Sequence, residues 1–206
     1  MKLIAHRGYK TKYIKENTIE AFTNAINNDF IGIEADVRVT KDGKLVVCHD
    51  AFIDRVSDGS GLLSNYTYQE LLNYNFGSRE VPSRIPLLSE VLNSFDCIKL
   101  IEIKTRIDLN KIIPLVDDNT YFISFDSSYI FKLKKKYPRL KFGVLNYVFN
   151  SKNNYNLDII CLLDGIVTNN LVNHFNSLDI KVFTYGIKDK PTYINDNIYY
   201  IVNDKI

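Results

Sequence analysis

With 206 residues, 46% of them apolar and 24% charged, the chain can bury one sizeable core, which excludes a disordered or fibrous protein and predicts a single globular domain over residues 1–206. A formal charge of +2 carries no polyanion-binding signature, so nucleic acid is not an expected partner. No run approaches the ~18 apolar residues of a membrane span and no secretory h-region is recognisable, so stable membrane insertion is not expected and the expected location is the cytoplasm.

The first apolar run, residues 3–5, reads as a short strand that delivers His6 and Arg7 at its carboxyl end. A helical pattern follows over 18–28, with Asn17 placed to cap its orphan amides and Glu20 placed three residues on to reach back in a capping box. A second strand over 32–37 carries Glu34 and Asp36 two apart. In "TKDGKLVVCHD" a turn at Asp42 and Gly43 joins two apolar arms, which predicts a hairpin that returns His49 towards the end of the strand it left. Residues 51–86 form an insertion with a short helical pattern at 68–73; too short for a separate core, it is expected to pack on the rest of the fold as a lid.

Strands are then predicted at 98–103, 121–125, 141–145, 159–167, 181–185 and 199–202, alternating with helical patterns at 87–95, 109–117, 128–136 and 170–178. Eight strands in strand–helix order predict an α/β protein of the (β/α)₈ TIM-barrel type, with a small insertion after the second-strand hairpin; a doubly wound sheet shows the same alternation. Lys132, Lys134, Lys135 and Lys136 fall at the end of a helical pattern, where a solvated basic face is expected. Cys48, Cys97 and Cys161 have no metal or redox spacing and read as reduced core residues.

Residues i and i+2 of a strand share a face. If that face points into a barrel, His6, Arg7, Glu34, Asp36, Glu102 and Lys104 collect at the carboxyl ends of neighbouring strands, where barrel enzymes place their sites, and the hairpin brings His49 to the same end. Each has a plainer reading: Glu34 and Asp36 as the solvent face of an amphipathic strand, Lys104 and Glu102 as a surface ion pair, His6 as a hydrogen-bonded core histidine. The coincidence of three carboxylates, two cations and two of three histidines favours a site, whereas His174, inside a helical pattern, reads as a surface residue. Three carboxylates make a hard oxygen site suited to Mg²⁺ or Ca²⁺. With a divalent cation, Arg7 and Lys104, the constellation carries roughly +1 and suits a singly charged phosphodiester. Arg7 offers a planar fork for phosphate oxygens, Lys104 a point charge, and two histidines an acid and a base.

The ordered motifs "IAHRG", "ENTIEAF", "GIEADVRVTKDGKLVVCHD" and "IEIK", followed by "IPLLSEVL" and "SFD", resemble the glycerophosphodiester phosphodiesterases. The resemblance implies a (β/α)₈ barrel, an insertion after the "HD" motif, a divalent metal, and hydrolysis of a small-molecule glycerophosphodiester to glycerol 3-phosphate and an alcohol. By position it implies His6 and His49 as the acid–base pair, Glu34, Asp36 and Glu102 as metal ligands, and Arg7 and Lys104 as phosphate holders. Phe183-Thr184 stands where the family usually has tryptophan-threonine, Asp204 alone survives of a Thr-Asp ending, and Lys15 stands where a proline often precedes the Glu-Asn-Thr run. Alternative readings are a lysophospholipase D or sphingomyelinase D type, with Leu62, Leu63, Tyr66, Leu71, Leu72 and Phe76 as an acyl-chain surface, or a non-catalytic phosphate-ester-binding relative. Head-group preference, the choice between Mg²⁺ and Ca²⁺, the division of roles between the histidines, the nucleophile and the oligomeric state stay open at this level.

Overall fold

A computed structural model describes residues 1–146 and 156–206. Nine strands are present among them: β1 (Lys2–His6), β2 (Gly32–Val39), β3 (Leu45–Val47), β4 (Ile98–Ile103), β5 (Thr120–Ser124), β6 (Lys141–Asn146), β7 (Ile159–Leu163), β8 (Lys181–Tyr185) and β9 (Ile198–Val202). Eight run parallel in the order β1, β2, β4 to β9, and pairing of β9 with β1 closes the ring. The eight-stranded barrel that the alternating pattern predicts is therefore the fold. The remaining strand, β3, lies antiparallel on β2, with Val37 opposite Val47 and Val39 opposite Leu45, as the turn signal at Asp42 and Gly43 predicts; Gly43 supplies the left-handed φ of 73° at that turn.

Alternation along the strands divides the core. Inward side chains from seven strands (Ile4, Leu100, Tyr121, Ile123, Leu145, Cys161, Phe183 and Ile201 among them) fill the barrel as a packed interior. The outward positions pack under α1 (Ile19–Asn27), α3 (Leu88–Ser94), α4 (Ser127–Lys136) and α5 (Asn169–Ser177). At the amino end of β4, Lys99 is wholly buried and donates to the carbonyl oxygens of Phe95 and Cys97 and to Asp117 Oδ2 at 2.8, 3.3 and 2.7 Å. It thereby ties the exit of α3 to the loop before β5.

Four expectations are corrected. The cap of α1 is Thr18, whose hydroxyl accepts from the Ala21 amide, while Glu20 accepts from Ser83 Oγ; Asn17, with a left-handed φ of 57°, is turned elsewhere. The pattern at 109–117 forms two 3₁₀ turns, Leu109–Lys111 and Ile113–Leu115, because Pro114 lacks the amide that a continuing α-helix needs. The seventh barrel strand ends at Leu163, where Asp164–Ile166 turns into a 3₁₀ segment. Finally, the insertion, with α2 (Tyr68–Leu71), packs on the hairpin arm as expected, but through residues read as an acyl-chain surface: Leu63, Leu71 and Phe76, together with Ile53 and Ile85, close on Val46 and Cys48. Leu63, Leu71 and Phe76 are thereby buried and offer no acyl-chain surface. Cys48 and Cys161 are buried and Cys97 half-buried, all three as free thiols. Among the described residues no helix is long and apolar enough to cross a membrane.

Candidate active site

The parallel register explains why the charged residues meet. Pairing sets His6 opposite Glu34 across β1 and β2, and Asp36 opposite Glu102 across β2 and β4. The carboxylates of Glu34, Asp36 and Glu102 each offer an oxygen within 4.8 Å of the others, and the residues are only 2%, 0% and 7% exposed. Burial, followed by the neighbouring Asp36 and Glu102 charges, pushes the Glu34 carboxyl well above the usual range. Burial also raises Glu102, against the pull of Lys104. Glu34 Oε1 and Asp36 Oδ1 are buried without a well-aligned hydrogen-bond donor. Three converging buried carboxylates with two orphaned oxygens are costly on their own and fit a hard divalent cation, so the donor set expected for Mg²⁺ or Ca²⁺ is assembled as a unit.

The chain leaves β1 through Arg7 at φ 59° and Gly8 at φ 79°, two consecutive left-handed residues. A Cβ at Gly8 would stand 2.6 Å from that of Ala21, so only glycine lets this turn lie on α1. The turn points the Arg7 amide at Glu34 Oε2, 3.0 Å away, and lays Arg7 Nε 3.2 Å from Asp36 Oδ2. Lys104, from the end of β4, donates to Glu102 Oε1 at 2.6 Å and lies 3.2 Å from Asp36 Oδ1. Burial works against the lysine's charge, but Asp36 and Glu102 outweigh it and raise its affinity for the proton. This is a half-buried cation on buried acids, not a surface pair.

The two histidines have unlike settings. His6 Nδ1 faces the Asn203 carboxamide oxygen at 2.9 Å, and burial, helped by Arg7 and Lys10 against the Asn203 hydrogen bond, pulls the ring down to about 4. Lys10 donates to the same Asn203 oxygen and to the His6 carbonyl. His49 Nδ1 lies 2.6 Å from Asp50 Oδ1, a carboxylate that the Arg55 hydrogen bond holds well below the usual range. The His49 carbonyl accepts from Arg38 Nε at 2.7 Å, which fixes the backbone from which the ring projects.

Of the seven residues expected at the site, all but Asp36 line a cavity of about 260 Å³ at the carboxyl end of the barrel: His6, Arg7, Glu34, His49, Glu102 and Lys104 on one wall, and Ile123, Phe125, Leu145, Tyr185 and Ile201 on the other. Asp36 sits beneath, fully buried. The structure thus brings together all seven residues expected at the site, and leaves His174 exposed on α5. The insertion contributes no side chain to this cavity. It walls a larger neighbouring groove of about 710 Å³ instead, where Arg55, Ser57 and Arg79 face Lys10, Lys15 and Glu16 of the loop after β1. The insertion thus flanks the site.

Sequence reading misses the residues that hold the site. Asn17 donates from Nδ2 to Asp36 Oδ2 at 2.8 Å and accepts from the Asp36 amide at 3.3 Å. Glu16, Asp50, Arg55 and Asn203 also serve as holders. Only Asp50, next to a candidate histidine, has a local signal.

The sequence profile of the glycerophosphoryl diester phosphodiesterase family matches residues 6–136. A glycerophosphodiester phosphodiesterase of Caldanaerobacter subterraneus subsp. tengcongensis is 37% identical over 160 residues, 69% of this chain and 65% of that protein, and one of Bacillus altitudinis is 44% identical over 95 residues, 44% and 38% respectively. The chain therefore spans less than two thirds of the length of either relative. Among solved structures, the glycerophosphodiester phosphodiesterase of Agrobacterium tumefaciens superposes with a TM-score of 0.82 at 21% identity, covering 98% of this chain and 96% of that one. An Oleispira antarctica phosphodiesterase in complex with the product sn-glycerol-3-phosphate superposes at 0.79 and 21% identity, covering 92% and 85%. A TIM-like barrel with a charged mouth is the class that fold and site define. Within it, the chain belongs to the glycerophosphoryl diester phosphodiesterase family.

Proposed function

We propose that the protein is a phosphoric diester hydrolase that cleaves glycerophosphodiesters to glycerol 3-phosphate and an alcohol. The observation that carries this reading is the convergence, at one cavity, of three buried carboxylates with two histidines of opposite setting. Family membership supports it, as does the glycerol 3-phosphate product held by a relative of the same fold.

Arg7 and Lys104 hold the non-bridging phosphate oxygens, each already anchored on the acid cluster at its other side. His6 is neutral near pH 7 and takes the proton of the attacking hydroxyl at Nε2, since Nδ1 is engaged by Asn203. His49 presents Nε2 to the departing alkoxide and gives up a proton there, with Asp50 fixing the ring through Nδ1. Glu34, Asp36 and Glu102 would hold a divalent ion, which would supply Lewis-acid stabilisation of the charge that grows on phosphorus-bound oxygen. The apolar wall of Ile123, Leu145 and Ile201 excludes water from one side. The test is product identification after incubation with several glycerophosphodiesters and lysophospholipids, with Mg²⁺, Ca²⁺ or chelator. Glycerol 3-phosphate and free alcohol are the expected products, and intact glycerophosphodiesters under every metal condition would reject the reading.

A further inference from the structure

Arg55 lies in the insertion, is exposed, and touches neither the catalytic cavity nor the three acids. Its guanidinium nevertheless joins two carboxylates that do belong to the site's supports. Nε donates to Asp50 Oδ2 at 2.5 Å and Nη2 donates to Glu16 Oε1 at 2.7 Å. Asp50 holds His49 through its other oxygen, and Glu16 Oε1 also accepts from Arg7 Nη1 at 3.1 Å. A continuous path of charged hydrogen bonds thus runs from His49 through Asp50, Arg55 and Glu16 to Arg7.

Stability does not account for this arrangement, because an exposed ion pair contributes little to folding. Orientation does. Asp50 has one oxygen on His49 and the other on Arg55, and Glu16 shares Oε1 between Arg7 and the same planar guanidinium, whose fixed donors set the two carboxylates relative to one another. Two segments 39 residues apart are thereby locked together at the rim: the loop that carries Arg7 and the hairpin exit that carries His49.

We infer that Arg55 is a positioning residue of the active site, acting on His49 through Asp50 and on Arg7 through Glu16. The inference rests on the reading of His49 as the proton donor. It gives the insertion a defined part in turnover that needs no contact with substrate, and it requires two separable signatures. Through His49, Arg55 affects kcat most where the leaving group needs a proton. Through Arg7, it affects the binding of any diester.

The experiment is a double-mutant cycle of Arg55→Ala and His49→Ala, assayed in the metal-loaded full chain on glycerophosphocholine and on a p-nitrophenyl diester of glycerol phosphate. Arg55→Ala should lower kcat on glycerophosphocholine about 10–100-fold, the usual range for a residue that orients a reacting group, and lower it less on the nitrophenyl ester. KM should rise on both esters. In the His49→Ala background the kcat effect of Arg55→Ala on glycerophosphocholine should shrink to about 2-fold or less while the KM effect persists. Arg55→Lys should recover part of the loss, because an ammonium can serve one carboxylate but does not reproduce the fork. If Arg55→Ala lowers the thermal midpoint enough to obscure kinetics, Asp50→Asn breaks the same path outside the insertion and should give the same ester-selective loss. An equal kcat factor in both backgrounds, or unchanged kinetics in both Arg55→Ala and Asp50→Asn, overturns the inference while leaving the acid reading in place. Near-normal glycerophosphocholine turnover by His49→Ala alone overturns the acid reading, and the inference with it.

Discussion

Asn17 and Asp36 exchange two hydrogen bonds, Nδ2 to Oδ2 at 2.8 Å and backbone amide to Oδ1 at 3.3 Å, so the loop before α1 fixes the most deeply buried acid of the site. With Oδ2 taken by Asn17, Oδ1 is the oxygen left for the cluster with Glu34 and Glu102. Asn17→Ala should therefore weaken Mg²⁺ or Ca²⁺ binding about 10–100-fold, as loss of a ligand's outer partner does. Titration calorimetry of the chelated and reloaded protein measures this directly. Unchanged metal affinity would leave Asn17 a purely structural residue.

Glu34 gives a prediction in which sign depends on the metal. A carboxyl whose folded pKa is raised contributes stability that is complete below its unfolded value and is lost as pH rises through the folded value. In chelator, the wild-type chain should lose stability across that window, and Glu34→Gln, which cannot ionise, should be spared the loss and melt higher at neutral pH. With saturating metal the order should reverse, since binding stabilises the native state by an amount that grows with the logarithm of affinity. Thermal melts of both chains, with and without chelator, from pH 5 to 8 make the comparison. A Glu34→Gln chain that melts lower in chelator would show that Glu34 has a partner the geometry lacks.

The unlike settings of the histidines predict unlike responses to the leaving group. Replacing His49 by alanine should cost an alkyl diester about 10²–10⁴ in rate and a nitrophenyl diester much less, whereas His6→Ala should slow both. Because His6 is pulled down to about 4, kcat/KM should hold level from neutral into mildly acidic pH and fall only as pH approaches that value. Stopped assays of both variants on both esters test the assignment, and the reverse pattern would exchange the two roles.

Lys99 marks the opposite, amino-terminal end of the barrel. Lys99→Ala removes the donor to the Phe95 and Cys97 carbonyls and the ion pair with Asp117, which should cost about 2–4 kcal/mol of stability. Turnover measured well below the melting temperature should stay within about two-fold of wild type, since stability and chemistry occupy opposite ends of such barrels. Denaturant melts and a single-temperature assay suffice. A matched fall in kcat would mean that the two ends are coupled.

The seven site residues were legible because strand geometry forces them together: i and i+2 spacing on two strands and a hairpin of fixed length need only local rules. Asn17 was misread as a cap because capping and long-range bonding draw on the same side-chain chemistry, and only the left-handed backbone at 17 turns the amide to Asp36. Residues 109–117 show why periodicity misleads when a proline interrupts it. Arg55 was invisible for a different reason. Its importance lies in joining Glu16 and Asp50, a contact that no spacing in the sequence encodes.

The cavity's two walls come from different stretches of the chain. Every charged group on it lies between residues 6 and 104, and the apolar face is drawn from residues 123 to 201. On the proposed function, bond-breaking and fit to the organic part of an ester are thus written in separate text. If that reading holds, a change at Leu145 or Ile201 would reshape what is admitted while leaving the charged wall as it is.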